Sequence, residues 1–211
     1  MGSPVYSSVG PKLQEDLFDI VARFRIHKYV LTADIAKMYR QVMVKKEHTP
    51  FQRILWRENQ TDEIKTYELK TVTYGTASAS YLAIKALQQL AQNQVNIFPL
   101  EVILRDFYVD DLLTGADTLA DAMKIRQEVV ATLSCGKMEL RKWASNEPSL
   151  LKDLSNSSNS HVVLSADKGE DINTLGLLWN SKSDILQYST VSEPSKNFIK
   201  TKYFISNIKN L

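Results

Sequence analysis

The sequence predicts an α+β fold in which an antiparallel sheet is backed by helices on one face. Strand-like runs alternate with segments of helical periodicity, and short polar turns separate several neighbouring strand-like runs, which favours hairpins. The 211 residues are 44% hydrophobic, which is enough chain and enough apolar surface for a core without disulfide or metal staples. The sequence contains no internal repeat.

The composition and the rare residues exclude several classes of protein. A formal net charge of +2 does not by itself require a nucleic-acid partner, so such a partner has to be argued from local patches. The seven glycines are too scattered for a dinucleotide fingerprint or a Walker A loop. The three histidines and the single cysteine form no zinc motif.

The cysteine count and the hydropathy pattern predict an intracellular protein. Cys135 has no partner for an internal disulfide, which indicates a reducing compartment. No apolar run approaches the roughly 18 residues that cross a bilayer, and the N-terminus lacks the basic start and apolar core of a signal peptide. We therefore expect a protein that is not secreted and has no membrane partner.

The first half of the chain predicts one helix followed by strands. Apolar residues recur at helical spacing after Pro11, which predicts an amphipathic helix over residues 12–26. Residues 29–35 (YVLTADI) are typical of a strand, and its single charge is Asp34. Three further strand-like runs form a small antiparallel excursion at residues 40–45, 51–57 and 64–72.

The second half predicts helices between strands and a further helix at its end. One helix covers residues 77–92, and another begins at the cap residue Thr118 and continues to Leu133. The strand-like runs lie at residues 102–108, 112–114, 138–143, 174–180 and 185–189. Residues 155–160 are too polar to pack and predict a surface loop. The lysine-bearing segment 195–211 predicts a basic amphipathic helix.

Three carboxylates stand where apolar strands end, and this is the most informative pattern in the sequence. Asp110 and Asp111 lie at the two-residue turn of a predicted hairpin, and Asp34 closes a separate apolar strand. If the strands pair, repulsion raises the pKa values of the carboxyl groups unless divalent cations lie between them. Mg²⁺ takes such oxygen ligands, and two ions about 3.5–4 Å apart clamp an in-line displacement at phosphorus. A solvated turn is the alternative interpretation of the Asp-Asp pair.

Two motifs within this pattern resemble those of a polymerase family. Residues 108–111 (YVDD) resemble the YxDD box of reverse transcriptases, and residues 34–39 (DIAKMY) resemble their first catalytic motif, an aspartate with an aromatic residue five positions later. Over residues 9–209, ordered blocks resemble the polymerase segment of BEL/Pao retrotransposons. These blocks are GPKLQEDLFDIVARFR, LTADIAKMYRQV, QRILWR, VTYGTASASYLAIKALQ, FYVDDLLTGAD, LRKWASN and LGLLWN.

The resemblance implies a right-hand polymerase palm, which is an antiparallel sheet backed by helices, with a partial fingers region and the start of a thumb. The implied divisions are an N-terminal helix at the fingers and palm junction (1–28), the palm (29–154) with a fingers hairpin inserted at about 45–73, a polar loop (155–170), and a primer-grip-like hairpin with the start of the thumb (171–211). The implied catalytic centre lies in the palm.

The resemblance also implies a two-metal nucleotidyl-transfer centre. Asp34, Asp110 and Asp111 would be the catalytic metal ligands, and the carbonyl of Ile35 would help to hold the ion on the triphosphate side. The implied cofactor is Mg²⁺, as two ions, with Mn²⁺ as a substitute. Lys142 would protonate or screen the leaving pyrophosphate, an effect worth about 10²–10⁴-fold in rate. A solvated strand lysine is the alternative.

Three residues are implied to bind the incoming deoxynucleoside triphosphate. Tyr39 would lie under the sugar, where its ring would clash with a 2′-hydroxyl; a half-buried tyrosine at a strand end is the alternative. Tyr74 and Gly75 would approach the nascent base pair, and a glycine there lets the backbone come close to the substrate. As a lone residue, Gly75 is more often a turn or helix-start glycine.

Further residues are implied to contact the nucleic acid. The implied primer-binding residues are Tyr108, Leu175, Gly176, Leu177 and Trp179. The implied contacts to backbone phosphates are Lys196, Lys200 and Lys202. An ordinary core hairpin and a solvated helix face are the alternatives for these two sets.

The implied function is that of an RNA-directed DNA polymerase, which extends a primer on an RNA or DNA template, in the cytoplasm or in virus-like particles. Two departures matter: Ser80 stands where the family usually has proline, and the stretch before Asp34 is too short for a complete fingers region. We therefore expect a fragment of a polyprotein, without the protease, ribonuclease H and integrase domains. A catalytically silent remnant that only binds nucleic acid is the alternative.

Overall fold

The computed structural model describes residues 9–93, 97–155, 171–189 and 202–205. Its helices are α1 (Leu17–Ile26), α2 (Met38–Gln41), α3 (Ala79–Gln92), α4 (Ile97–Arg105), α5 (Leu119–Cys135) and α6 (Lys152–Ser155), with 3₁₀ turns at Thr49–Phe51 and Pro148–Leu151. Its strands are β1 (Tyr29–Ile35), β2 (Arg53–Trp56), β3 (Lys65–Glu68), β4 (Phe107–Tyr108), β5 (Asp111–Ala116), β6 (Leu140–Ser145), β7 (Asp171–Thr174), β8 (Leu177–Asn180), β9 (Ile185–Ser189) and β10 (Lys202–Ile205). Helices and antiparallel strands are mixed, as predicted.

The central sheet brings together strands that are far apart in the sequence. Its order is β4-β5-β1-β6, and every neighbouring pair is antiparallel. Along the β1–β5 pairing, Tyr29 lies opposite Ala116 at one end, and Asp34 lies opposite Asp111 at the other. Strand β5 is therefore paired with β1 along its whole length, and β4 lies beyond it at the edge of the sheet.

Helices α3, α4 and α5 cover one face of this sheet. Leu31, Ala33 and Ile35 alternate along β1 and are buried against that layer. Leu87 of α3 and Val129 of α5 belong to the same core. A shift of β1 by one residue would turn its three core side chains to the opposite face, so this core fixes the register of the sheet.

The opposite face is also covered, so the expectation of helices on one face alone is wrong. Val30 of β1 and Leu113 of β5 point away from the α3–α5 layer and belong to a second core with Phe24 of α1. A second antiparallel sheet, β10-β9-β8-β7, contributes Trp179, whose ring meets Phe24 edge to face with centroids 5.2 Å apart. Apolar residues on both faces of β1 and β5 require this second layer.

Two predicted helices are confirmed with small changes of their bounds. The helix expected over residues 77–92 is α3, and the helix expected from Thr118 is α5. The Thr118 hydroxyl oxygen accepts a hydrogen bond from the backbone N–H of Asp121 at 3.1 Å, which is the predicted cap.

The strands β2 and β3 form a separate hairpin within the residues 45–73. Every residue of both strands is exposed, and the side chains of Leu55 and Trp56 are 71% and 60% exposed. The strand predicted at 40–45 is reduced to one bridge between Met43 and Thr71, because the residues before it form α2.

Two predictions on either side of the β4–β5 hairpin are wrong in detail. Helix α1 begins at Leu17 rather than at residue 12, because the residues before it contact α3 and the β4–β5 turn instead. Residues 102–105 end helix α4 rather than forming a strand, and only Phe107–Tyr108 pair with β5. Burial of Ile103 against the sheet favours the helix over the β-branched composition of this run.

The helix predicted over 195–211 is also wrong where the structure describes it. Residues 202–205 form β10, which pairs with β9. The aromatic and β-branched residues of this run suit a strand once an edge is available for pairing. The rest of the predicted helix lies outside the described residues. No helix in the described ranges is long and apolar enough to cross a bilayer.

The second core generates a prediction about stability. Phe24 is fully buried, whereas Phe18 on the same helix is 80% exposed. We expect Phe24→Ala to lower the free energy of unfolding by about 3–5 kcal/mol, because it leaves a cavity beside Trp179. Phe18→Ala is the matched control and should change it by less than about 0.5 kcal/mol. Urea unfolding of both variants measures the difference, and equal effects would contradict the burial of Phe24.

Candidate active site

The end of the central sheet brings two of the predicted carboxylates side by side. Asp34, near the end of β1, and Asp111, the first residue of β5, are direct partners in the register. Both point away from the α3–α5 layer, because they alternate with the buried residues Ile35 and Leu112. The expected pairing of the two strands is therefore present.

The β4–β5 turn holds Asp110 against the end of β1. Tyr108 and Asp111 are partners, so Val109 and Asp110 form the predicted two-residue turn. The backbone N–H of Ile35 donates to the carbonyl of Asp110 at 2.8 Å. Val109 has a φ of +56°, which is strained for a β-branched residue. All three predicted acidic residues thus meet at one end of the sheet.

The side chain of Gln14 also holds this turn, and the sequence analysis missed it. Its Oε1 accepts a hydrogen bond from the backbone N–H of Val109 at 3.1 Å. Its Nε2 donates to the carbonyl of Phe107 at 3.0 Å. No sequence signal marks this residue, because the periodicity assigned its segment to a helix.

A bulge in β6 places Lys142 beside Asp34. The β1–β6 register shifts between Thr32 and Asp34, so β6 carries an extra residue there, and Lys142 has a φ of +53°. The Nζ of Lys142 donates to Oδ2 of Asp34 at 3.0 Å. The Lys142 side chain is 62% exposed, so the ammonium group remains reachable from solvent.

The charged groups shift one another's proton affinity. Burial, followed by repulsion from Asp110 and Asp34, raises the pKa of Asp111 from 3.8 to about 6, against the opposing effect of Lys142. Burial also raises the pKa of Asp110, and Asp34 adds to the shift. The pKa of Lys142 is raised, chiefly by its hydrogen bond to Asp34. The single positive charge of Lys142 therefore does not neutralise the negative charge of the three carboxyl groups around it.

The chemistry of this donor set fits a hard divalent cation. The donors are carboxylate oxygens, and an added cation would offset both the burial and the repulsion that raise the pKa values of Asp110 and Asp111. In the observed arrangement, however, Lys142 is the cation on Asp34, and the described part of the chain holds no group of three His, Cys, Asp or Glu side chains already placed for a metal ion. Asp110 and Asp111 would be the available ligands for such an ion, and Asp34 would have to give up its bond to Lys142 to join them.

Tyr39 and Tyr74 form an aromatic pair near the start of α3. Their ring centroids are 4.5 Å apart, and the hydroxyl groups of Tyr39 and Ser80 are hydrogen-bonded at 2.9 Å. Tyr39 is only 9% exposed, whereas Tyr74 is 60% exposed, so Tyr74 presents the accessible ring. Gly75, beside it, has a φ of +84°, and open space lies where a Cβ would be.

The predicted primer-binding residues gather around the second core. Tyr108, Leu175 and Leu177 are partly buried against it, and Leu175 and Gly176 form the turn between β7 and β8. Trp179 differs, because its side chain is fully buried. Its side chain supports the core, so a contact between Trp179 and a primer would run through the main chain and the shape of the hairpin, and this contact stays a prediction.

The predicted phosphate-binding lysines are only partly described. Lys196 and Lys200 lie outside the described residues, and Lys202 begins β10. Lys202 therefore lies on a strand rather than on the predicted helix.

Comparisons with known proteins add a likeness of fold. Neither a family model nor a curated protein matches the chain. Among solved structures, the chain is similar to the foamy viral protease-reverse transcriptase in complex with RNA/DNA hybrid, with a TM-score of 0.52 and 15% sequence identity. The match covers 80% of this chain and 18% of that chain. At this identity the likeness shows a reverse-transcriptase-like fold alone, and none of the comparisons supports the narrower BEL/Pao resemblance.

The raised pKa of Asp111 predicts a pH dependence of stability. Between pH of about 4 and about 6 the native state keeps a proton that the unfolded chain has released, so the native state loses stability as the pH rises through this window. Asp111→Asn removes this titration. We expect the variant to gain stability relative to the wild type from pH 4 to 6 and to keep that gain above pH 6, in urea unfolding with chelator present. A difference that stays constant with pH would contradict the shift.

Proposed function

We propose that this chain is the polymerase segment of a reverse transcriptase from a BEL/Pao-type retrotransposon polyprotein. The observation that carries the proposal is the pairing of Asp34 with Asp111, next to the turn residue Asp110. These are the positions at which the two sequence motifs resemble the catalytic motifs of reverse transcriptases. The likeness of fold to the foamy viral protein supports the reverse-transcriptase part of this assignment, whereas the BEL/Pao type rests on the sequence blocks alone.

In this proposal the three aspartates hold two Mg²⁺ ions, with Mn²⁺ as a substitute. When bound, these ions activate the primer 3′-hydroxyl and neutralise the leaving pyrophosphate. Asp110 and Asp111 provide ligands on a fixed turn, and Asp34 provides a third from the neighbouring strand. The carbonyl of Ile35 is the proposed additional oxygen ligand. The local excess of negative charge favours this role over a solvated turn.

Lys142 has a proposed role on the leaving-group side. Its ammonium is protonated at neutral pH, and the hydrogen bond to Asp34 raises its pKa further. Its exposed side chain can exchange that partner for a phosphate oxygen, which it would screen or protonate as pyrophosphate leaves. General-acid assistance of this kind is worth about 10²–10⁴-fold in rate.

The other predicted site residues are proposed to contact the incoming nucleotide and the primer. Tyr39 is proposed to limit the 2′ position of the incoming deoxynucleoside triphosphate, and Tyr74 and Gly75 to approach the nascent base pair. Tyr108 and the Leu175–Leu177 turn are proposed to support the primer. The proposed template is RNA or DNA, and the similar foamy viral protein is in complex with an RNA/DNA hybrid.

The proposed organisation is that of a palm with smaller additions. Residues 29–154 form the palm, the exposed hairpin within 45–73 is the fingers insert, and residues 171–211 form the primer-grip hairpin and the start of a thumb. Residues 1–28 precede the palm. Other polyprotein domains are expected in a full-length element, which would be found in the cytoplasm or in virus-like particles.

Primer extension by the full chain tests this proposal. Labelled deoxynucleotide, a primed homopolymer template and Mg²⁺ should give incorporation that falls to background in Asp110→Asn, because a ligand on the fixed turn is lost. Asp117→Asn, in which the replaced side chain is 84% exposed at the far end of the same hairpin, is the matched control and should retain activity.

One feature of the structure favours the alternative of a chain without polymerase activity. Because Lys142 already neutralises Asp34, the chain could keep the fold as a silent nucleic-acid-binding remnant. Binding of a primed template without incorporation in Mg²⁺ or Mn²⁺ would favour the remnant and refute the enzyme.

The assignment of Tyr39 makes a separate prediction. Tyr39→Ala removes the ring that is proposed to clash with a 2′-hydroxyl, so incorporation of ribonucleotides relative to deoxynucleotides should rise by about tenfold or more, equivalent to at least about 1.4 kcal/mol. Tyr39→Phe is the matched control, because it keeps the ring and removes only the hydrogen bond to Ser80. Competition between the two nucleotide types measures the ratio, and an unchanged ratio in Tyr39→Ala would refute the assignment.

A further inference from the structure

The residues before α1 form a strap across the edge of the central sheet. Residues 9–16 contain no helix or strand, yet they are attached to α3 at two points. The Nε2 of Gln88 donates to the carbonyl of Leu13 at 2.9 Å. Gly10 has a φ of +78° and lies so close to the ring of Tyr81 that a Cβ would be 2.5 Å from it. Helix α3 therefore holds the strap independently of the acidic turn, and Glu15 adds ion pairs to Arg23 and Arg105.

The strap ends in a two-point contact with the acidic turn. One carboxamide, that of Gln14, binds the carbonyl of Phe107 and the N–H of Val109. Among the described strands β4 is the edge of the sheet, so no strand in the described ranges pairs with these two backbone groups. An amide has the same donor and acceptor chemistry as a peptide group. The Gln14 carboxamide thus makes the two hydrogen bonds that a neighbouring strand would otherwise make at this edge.

The contacted turn is the most strained part of the site. A β-branched residue with positive φ is unfavourable, and Val109 at +56° persists only where the surroundings hold it. On the inner side, Ile35 fixes the carbonyl of Asp110. On the outer side, Gln14 fixes the N–H of Val109 itself. The strained residue therefore lies between one contact from β1 and one from the strap.

We propose that Gln14 is a positioning residue, which holds the strained turn and so determines where Asp110 and Asp111 lie relative to Asp34. Its effect on catalysis rests on the proposed polymerase function, whereas its effect on the turn does not. Asparagine would be one methylene too short to reach both backbone groups, and glutamate would lack the donor for the Phe107 carbonyl.

Hydrogen exchange of the full chain tests the effect on the turn without any need for activity. In Gln14→Ala we expect the Val109 amide to exchange at least about tenfold faster, because its acceptor is lost. Gln89→Ala is the matched control, since Gln89 bonds only Asn93 on the exposed side of α3, and it should leave the Val109 amide unchanged. The thermal midpoint should move little in both, because water can replace Gln14 at an edge.

A second variant separates positioning from general destabilisation. In Val109→Gly the left-handed conformation no longer carries strain, so the strap should matter less. We expect Gln14→Ala to lower kcat for deoxynucleotide incorporation by about 10- to 100-fold, with KM changed less than about threefold. In the Val109→Gly background, Gln14→Ala should lower kcat by a factor that is at least about fivefold smaller than in the wild-type background, which is a rough threshold for coupling between the two residues.

The outcomes distinguish the two proposals. An unchanged exchange rate of the Val109 amide in Gln14→Ala overturns the positioning role. An equal loss of kcat in both backgrounds overturns it too, since the effect would then not act through the strained turn. A wild type without incorporation refutes the proposed polymerase function, and faster exchange in Gln14→Ala would still support the strap.

Discussion

Repulsion among three carboxyl groups at one end of the central sheet is the constraint on which the site depends. Asp34 and Asp111 face each other across β1 and β5, and Asp110 lies in the adjoining turn. The proximity of the carboxyl groups is imposed by the apolar residues that follow Asp34 and Asp111 in the chain, because Ile35 and Leu112 must be buried against the α3–α5 layer. The free energy gained by burying the core therefore keeps these carboxyl groups close together, although they would move apart in an unfolded chain.

Two backbone irregularities flank these charges. Val109 and Lys142 both have positive φ, one in the β4–β5 turn and the other in the β6 bulge. The turn presents two adjacent carboxylates, and the bulge brings a single ammonium to Asp34. Strain of this kind is retained where surrounding contacts compensate for it, which is the role that we propose for Gln14 in the strap. The irregular backbone and the unbalanced charge thus occur at the same place.

Much of the sheet and the acidic turn could be predicted from local pattern. The β-rich composition of residues 29–35 predicted β1, and the apolar runs around a short polar turn predicted the hairpin that carries Asp110 and Asp111. The cap at Thr118 predicted the start of α5. These features depend on side-chain periodicity and backbone hydrogen bonding over a few residues, which a sequence displays directly.

Contacts between distant segments determined the rest, and they have no local signature. The run 102–105 is helical because the sheet offers a surface for Ile103, and 202–205 are extended because β9 offers an edge. The bulge at Lys142 exists because Leu140 and Trp143, an odd number of residues apart, are both buried against the same core. The sequence by itself determined which residues are acidic and that they stand at strand ends and in a turn. The tertiary structure decided that Gln14 contacts the acidic turn and that Lys142 contacts Asp34, because residues so far apart in the chain meet only after folding.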